Sequence, residues 1–217
     1  MATKTNQTKR LALTGIMLAL GVILSLIKVF DFPTGGSITA FSMLPVMVIG
    51  YTYGVPWGLM TGLVYGVLQA VLGATMTSAF AGQSVGAVVG ILFFDYLAAF
   101  SMLGLAGLFK GKIKNHAAAF ALGCVVAGFA RYLCHLISGY IFFGSYAEWF
   151  FTEAFVNSFS SSIMQRTAAH PQLLAVIYSA IYNAIYLVPE TVITAVGAVL
   201  LISLVPPVRK EMTRAHK

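Results

Sequence analysis

Between Ser84 and Phe109 a run of about 25 residues, long enough to cross a hydrocarbon layer of roughly 30 Å, carries a single charged side chain, Asp95. Backbone in such a layer must satisfy its own hydrogen bonds, which makes the run a helix. A carboxylate in the middle of that helix is costly there, so it faces a cavity or a cationic partner. Phe93, Phe94 and Tyr96 stand beside it and offer the ring faces that receive cations.

The rest of the chain has the same character. Of its 217 residues 59% are hydrophobic and only 9% are charged, against about 25% charged in soluble domains. The net charge of +7 does not indicate a nucleic-acid surface, because the bases are grouped at the ends of apolar runs and lack a stacking or motif context. Lys4, Lys9 and Arg10 precede the first run. Lys110, Lys112 and Lys114 separate the fourth from the fifth. Arg209, Lys210, Arg214 and Lys217 follow the last. Basic clusters in alternate loops place both termini in the cytoplasm.

The pattern predicts an all-α integral membrane protein of six transmembrane helices, formed as a single domain over 1–217. The spans are Leu11–Val29, Ser37–Tyr53 with Pro45 inside, Pro56–Ala74, Ser84–Phe109, Ala117–Phe143 and Gln172–Val205. Residues 1–10 are then a cytoplasmic N-terminal tail and 206–217 a cytoplasmic C-terminal tail. The outer loops are Phe30–Gly36, Thr75–Gln83 and a long one over 144–171. The first run is long for a signal-peptide core and lacks a small-residue cleavage site, so it reads as a span. Cys124 and Cys134 lie ten residues and therefore about 15 Å apart on one helix, too far for a disulfide, and no metal-ligand spacing occurs.

Small residues recur every fourth position at Gly54, Gly58, Gly62 and Gly66, and again at Gly86 and Gly90, a spacing that lets helices approach closely in lipid. Gly15 and Ala19 repeat it on the first helix, where the face packs within the chain or docks a partner. Tyr146, Trp149, Phe150, Phe151 and Phe155 in the long loop suit an interfacial belt or a lid.

Four polar groups lie within the spans. Asp95 is either paired internally with Arg131 or free to meet a cationic ligand. Arg131, His135, Ser138 and Gly139 share one helical stripe, with Gly139 leaving the backbone open to a ligand. Tyr178, Tyr182 and Tyr186 form a second stripe, with Asn183 about 100° away from Tyr182; in a straight helix only part of this set faces one pocket. Glu190 follows Pro189, which is expected to kink the helix, and fits a structural polar network. The fourth group, Gly35-Gly36-Ser37-Ile38-Thr39, permits a tight turn or exposed amides. No GxSxG motif accompanies His135 and no Walker motif is present, so an enzyme is not expected and any ATP is used by another chain.

Several segments together resemble the thiamine-specific S component, the substrate-binding membrane subunit, of energy-coupling factor (ECF) vitamin transporters. They are GGSIT followed by MLP within 35–45, WGLMTGLVYGVLQ (57–69), FFDYLAAF (93–100), RYLCHLISGYIFFGSYA (131–147) and YSAIYNAIYLVPE (178–190). The resemblance implies a six-helix bundle in a bacterial plasma membrane that takes thiamine from outside. It also implies a membrane-embedded coupling subunit and two cytoplasmic ATPases as partners. Carried over by motif, the ligand-binding residues are Asp95, Tyr96, His135, Gly139, Phe143, Tyr178 and Asn183, and Gly15 and Ala19 mark the docking face for the coupling subunit. Asp95 replaces a Glu of some members, Phe143 stands where some have Trp, and the first outer loop offers Gly36 in place of a Trp. Thiamine's thiazolium, aminopyrimidine and hydroxyl are chemically matched by one carboxylate, aromatic faces, an amide and an imidazole. Rival readings are an S component for another heteroaromatic vitamin or precursor, a solitary transporter, and an intramembrane hydrolase using His135 with a serine of 158–162.

Overall fold

The computed structural model describes residues 2–32, 36–76, 80 and 82–213. Helix α1, Ala2–Leu26, leads into a hairpin of β1, Lys28–Asp31, and β2, Ser37–Thr39. Next come α2, Leu44–Tyr53, α3, Val55–Met76, and α4, Val85–Gly107. Helix α5, His116–Phe143, continues through short 3-10 and π turns to Ala154. It is followed by α6, Ser158–Thr167, α7, Pro171–Leu204, and α8, Pro206–Thr213.

Among the described residues five helices, α1, α3, α4, α5 and α7, are long and apolar enough to cross a membrane. The protein is thus mostly helical and multi-pass. The expected second span differs. Pro45 opens α2 and Gly54, at φ 93°, ends it after 10 residues, about 15 Å at helical rise. Ser37–Thr39, expected at the start of that span, pairs with β1 instead, in the register Phe30↔Ile38 and Asp31↔Ser37. The fold is therefore helical with one small hairpin; Pro33, Thr34 and Gly35 at its tip lie outside the described residues.

Helix α2 is buried from Pro45 to Thr52. It sits among α1, α3, α4 and α8, and Met43, Met47, Tyr51, Tyr65, Leu103 and Phe120 fill the core around it. Glycines make this possible. The Cβ of an alanine at Gly50 would lie 2.7 Å from the Gly104 carbonyl oxygen, and one at Gly62 would lie 2.3 Å from that of Phe100. The crossing brings α2, α3 and α4 to backbone contact. Gly66 belongs to the same seam, against Tyr96. Gly54 serves as a cap, and Gly86 touches nothing within 4 Å.

The described side chains next to the three basic clusters meet at one end of the bundle. Lys9 Nζ bonds Glu211 of α8 at 2.8 Å, Arg10 stacks on Trp57 at 3.9 Å, and Lys110 Nζ donates to the Thr52 carbonyl at 2.6 Å. The described parts of the expected tails are helical: α1 begins well before Leu11, and 206–213 form α8, whose Met212 is buried. Thr213 is the last described residue.

At the other end the expected long loop over 144–171 is largely helical. Phe150, Phe151, Ile163, Leu174 and Tyr178 form a second apolar cluster, with Phe143, Trp149, Phe155 and Tyr182 packed against it. Helix α6 starts at a capping box in which the Asn157 side chain accepts from Ser160 N and the Ser160 hydroxyl accepts from Asn157 N. Asn157→Ala is expected to lower stability by about 1 kcal/mol, measurable as a drop in the thermal midpoint in detergent.

Candidate functional site

Asp95 lies in a π-helical stretch of α4, Leu92–Ala98. Extra-wide turns of this kind break the regular stagger of side chains and are frequent at functional sites. Asp95 reaches α5: His135 Nδ1 is 2.8 Å from Oδ1, and the Ser138 hydroxyl donates to Oδ2 at 2.6 Å. Its partner is therefore not Arg131. That guanidinium donates through Nη1 to Glu190 Oε2 at 3.1 Å, donates through Nε to His135 Nε2 at 3.3 Å, and lies 4.5 Å over the Phe100 ring.

The stripe Arg131, His135, Ser138 and Gly139 is buried along its length. Gly139 has a different use from the expected one. A Cβ there would meet Ser179 Oγ at 2.2 Å and Asn183 Nδ2 at 3.1 Å, so its bare backbone receives helix α7. Asn183 points to α5 as well: its Nδ2 donates to the Ser179 carbonyl at 2.8 Å and to the His135 carbonyl at 3.2 Å. Tyr186, one turn on, donates to Asn183 Oδ1 at 2.6 Å. The tyrosine stripe and the asparagine therefore do converge, because a tyrosine is long enough to cross the 60° or so that separates helical residues i and i+3.

Tyr178 is buried beside Phe150, with ring centroids 5.3 Å apart, and beside Tyr182 at 5.6 Å. Phe143 is half-buried on the same aromatic cluster. Tyr96 goes elsewhere. Its hydroxyl fills the space over Gly73 of α3 and its ring lies 5.9 Å from Phe80, because adjacent helical residues diverge. The structure thus brings Asp95, His135, Ser138 and Gly139 together with Ser179, Asn183 and Tyr186. Phe143 and Tyr178 belong to the second apolar cluster, at the end of the bundle away from the basic side chains, and Tyr96 stands apart.

The hairpin closes over α7. A Cβ on Gly36, at φ 84°, would lie 2.8 Å from the Tyr186 ring, and Phe32 is 6.2 Å from both Tyr182 and Tyr186. Thr39 donates to Glu190 Oε1, and Ser42 does so at 3.3 Å. Pro189, expected to kink α7, lies inside a helix that remains continuous to Leu204. Ser179 joins the group without having been among the expected site residues. Its signal was present in the four-residue spacing to Asn183, which puts both on the α5-facing side.

Chemically the group is built to hold charge. The carboxylate sits between Ser138 and His135, so the imidazole cannot take the serine proton as a hydrolase requires. The serines of 158–162 belong to α6 and its cap. An open cleft of about 540 Å³ between the end of α5 and the start of α7 is lined by Tyr140, Gly144, Ser145, Gln172 and Ala175, and contains none of the expected ligand-binding residues.

A multi-pass helical protein that holds a partly buried acid–imidazole pair near a cluster of aromatic rings has the make-up of a membrane protein that receives a solute. The thiamine transporter protein family (Thia_YuaJ) matches residues 11–210, and the chain belongs to that family. It is 31% identical over 235 residues to the thiamine transporter ThiT of Bacillus subtilis strain 168, covering 94% of this chain and 97% of that protein. A solved structure of ThiT from Listeria monocytogenes has the same fold, with a TM-score of 0.67 at 19% identity over 94% of this chain and 98% of that one. The chain is a thiamine-specific S component that serves thiamine uptake, a transporter and not an enzyme.

Proposed function

We propose that thiamine binds between α4, α5 and α7, with Asp95 opposite the thiazolium and His135 and Asn183 on the polar edges. Phe143 and Tyr178 supply the ring faces. The observation that carries this reading is the Asp95–His135–Ser138 group, a carboxylate inside a membrane-spanning helix whose hydrogen-bond partners among the described residues are an imidazole and a hydroxyl. Gly139 and Tyr96 act indirectly, Gly139 by admitting α7 and Tyr96 by packing α4 on α3. Titration calorimetry with thiamine and with its separate thiazole and pyrimidine precursors tests the assignment. Binding of thiamine far tighter than millimolar is expected, and millimolar binding sinks it. Alanine at Ser158, Ser160, Ser161 or Ser162 leaves that binding intact.

Energy comes from a membrane-embedded coupling subunit and two cytoplasmic ATPases, with both termini on their side of a bacterial plasma membrane. The basic clusters gathered at one end of the bundle support this orientation. Gly15 and Ala19 form the docking face: a Cβ at Gly15 meets nothing within 4 Å, and Leu11, Ile16, Leu20 and Ile23 are exposed around it. Gly15→Trp is expected to leave thiamine affinity within about twofold, as for surface changes generally, and to abolish uptake by liposomes carrying the whole assembly. Uptake by liposomes containing this chain alone would instead establish a solitary transporter.

A further inference from the structure

The polar chain does not end at His135. Below Asp95 it runs through His135 to Arg131, on to Glu190, and from there to Thr39 and Ser42 beside the hairpin. We propose that Glu190 and Arg131 are positioning residues for the vitamin's cation: they fix which nitrogen of His135 carries the proton and hold the buried group at one net negative charge. The proposal rests on the reading of Asp95 as the thiazolium's partner.

An arginine offers donors and no acceptor, and it does not give up its proton in a protein. Its Nε–H points at His135 Nε2, 3.3 Å away, so that nitrogen must present its lone pair. The ring proton then sits on Nδ1 and is donated to Asp95 Oδ1 at 2.8 Å. Arg131 is itself held in place by Glu190 Oε2 at 3.1 Å, by the Met43 sulfur at 2.8 Å and by the Phe100 ring at 4.5 Å. Glu190 is held in turn by Thr39 and Ser42.

With a neutral imidazole the charges are Asp95 −1, Glu190 −1 and Arg131 +1. Among the described residues the other titratable side chain facing His135 across an interface is Tyr186, whose ring is 6.2 Å away and whose hydroxyl is committed to Asn183. One excess negative charge therefore remains, beneath rings, in a medium where an unbalanced charge is costly. A monovalent organic cation balances it. Protonating Nε2 would remove both the excess charge and the Arg131 contact. A pair that merely stapled α5 to α7 would make no distinction between a charged and an uncharged ligand of the same shape.

The test compares thiamine with a neutral isostere whose thiazolium is replaced by thiophene, by calorimetry on the purified chain. In Glu190→Gln the group falls to zero net charge. Thiamine is expected to weaken about tenfold and the isostere by less than about twofold. Combining Glu190→Gln with Arg131→Gln restores the charge of minus one, and the preference for the cation should return because Asp95 still accepts the Nδ1 proton, although His135 Nε2 is no longer held by Arg131. Equal loss of both ligands in the single variant, or no recovery in the double one, overturns the proposal. Should the single variant not fold, ¹⁵N spectra of histidine-labelled unsubstituted protein decide: a bare Nε2 and protonated Nδ1 on His135 support it, and a protonated Nε2 overturns it. Asp95→Asn separates the two levels. If that change leaves the cation preference intact, the site assignment itself fails. If it removes the preference while Glu190→Gln weakens both ligands alike, only the positioning role fails.

Discussion

Asp95→Asn should lower thiamine affinity about tenfold or more, a loss of at least about 1.4 kcal/mol, while leaving the fold intact. The thiazolium is a permanent cation. Unlike a buried amine it has no proton to release on leaving water, so a fixed anion must meet it. Coulomb attraction over about 4 Å amounts to roughly 4 kcal/mol at an effective dielectric constant of 20, and desolvation of both charges takes back part of that. The amide is nearly isosteric with the carboxylate. Its oxygen still accepts from His135 Nδ1, and the Ser138 hydroxyl can turn to accept from the new NH₂. Charge is thus the principal thing removed. Asp95→Glu is the matching control, adding one methylene and keeping the anion, and it is expected to retain binding. Calorimetry on purified protein reads both. If Asp95→Asn binds as tightly as the parent, the vitamin sits elsewhere, and the open cleft beside Gly144 and Ala175 becomes the first place to look.

Much of this site was legible in the sequence because it lies on helices whose register is fixed by spacing. Arg131, His135 and Ser138 fall on one stripe at 3.6 residues per turn whatever they pack against, and they do share one buried face. Which acid each would meet was not legible. Asp95 and Glu190 were both within reach of α5 in principle, and the choice depends on how α4 and α7 rise against it. Asp95 takes His135, and Glu190 takes Arg131. Tyr96 takes a separate direction for a related reason: chain adjacency to Asp95 turns its side chain toward Gly73 of α3. The hairpin was hidden by composition. Ser37-Ile38-Thr39 is as apolar and small as the start of a span, and only pairing with Lys28–Asp31 turns it into a strand. The short α2 was half visible, since Pro45 and Gly54 delimit it, yet the apolar stretch around them reads as one span.

The glycine seam carries the largest stability effect. Gly104→Val is expected to destabilise the bundle by about 3 kcal/mol, the upper end of the usual overpacking range, and to abolish the binding-competent fraction in detergent. A Cβ at Gly104 would lie 2.1 Å from Leu59 N and 2.3 Å from the Gly58 carbonyl carbon. Those are backbone atoms in the first two turns of α3, so no rotamer change relieves the clash. The facing positions cannot yield either, because a Cβ at Gly58 would stand 2.6 Å from Gly50 Cα and 2.8 Å from Gly104 Cα. Three glycines from three helices therefore meet at one point, and any side chain there must push α4 away from α2 and α3. Asp95 lies on α4 little more than two turns from Gly104, so separation of the crossing also withdraws the carboxylate from α5. Spacing alone picks out Gly58 and Gly62 but not Gly104, whose partners are on other helices. Gly86→Ala on the same helix is the control. It has no atom within 4 Å, and alanine is the better helix former by roughly 1 kcal/mol, so its melting temperature should hold or rise. A Gly104→Val protein that melts and binds like the parent would show that α4 does not rest on this seam.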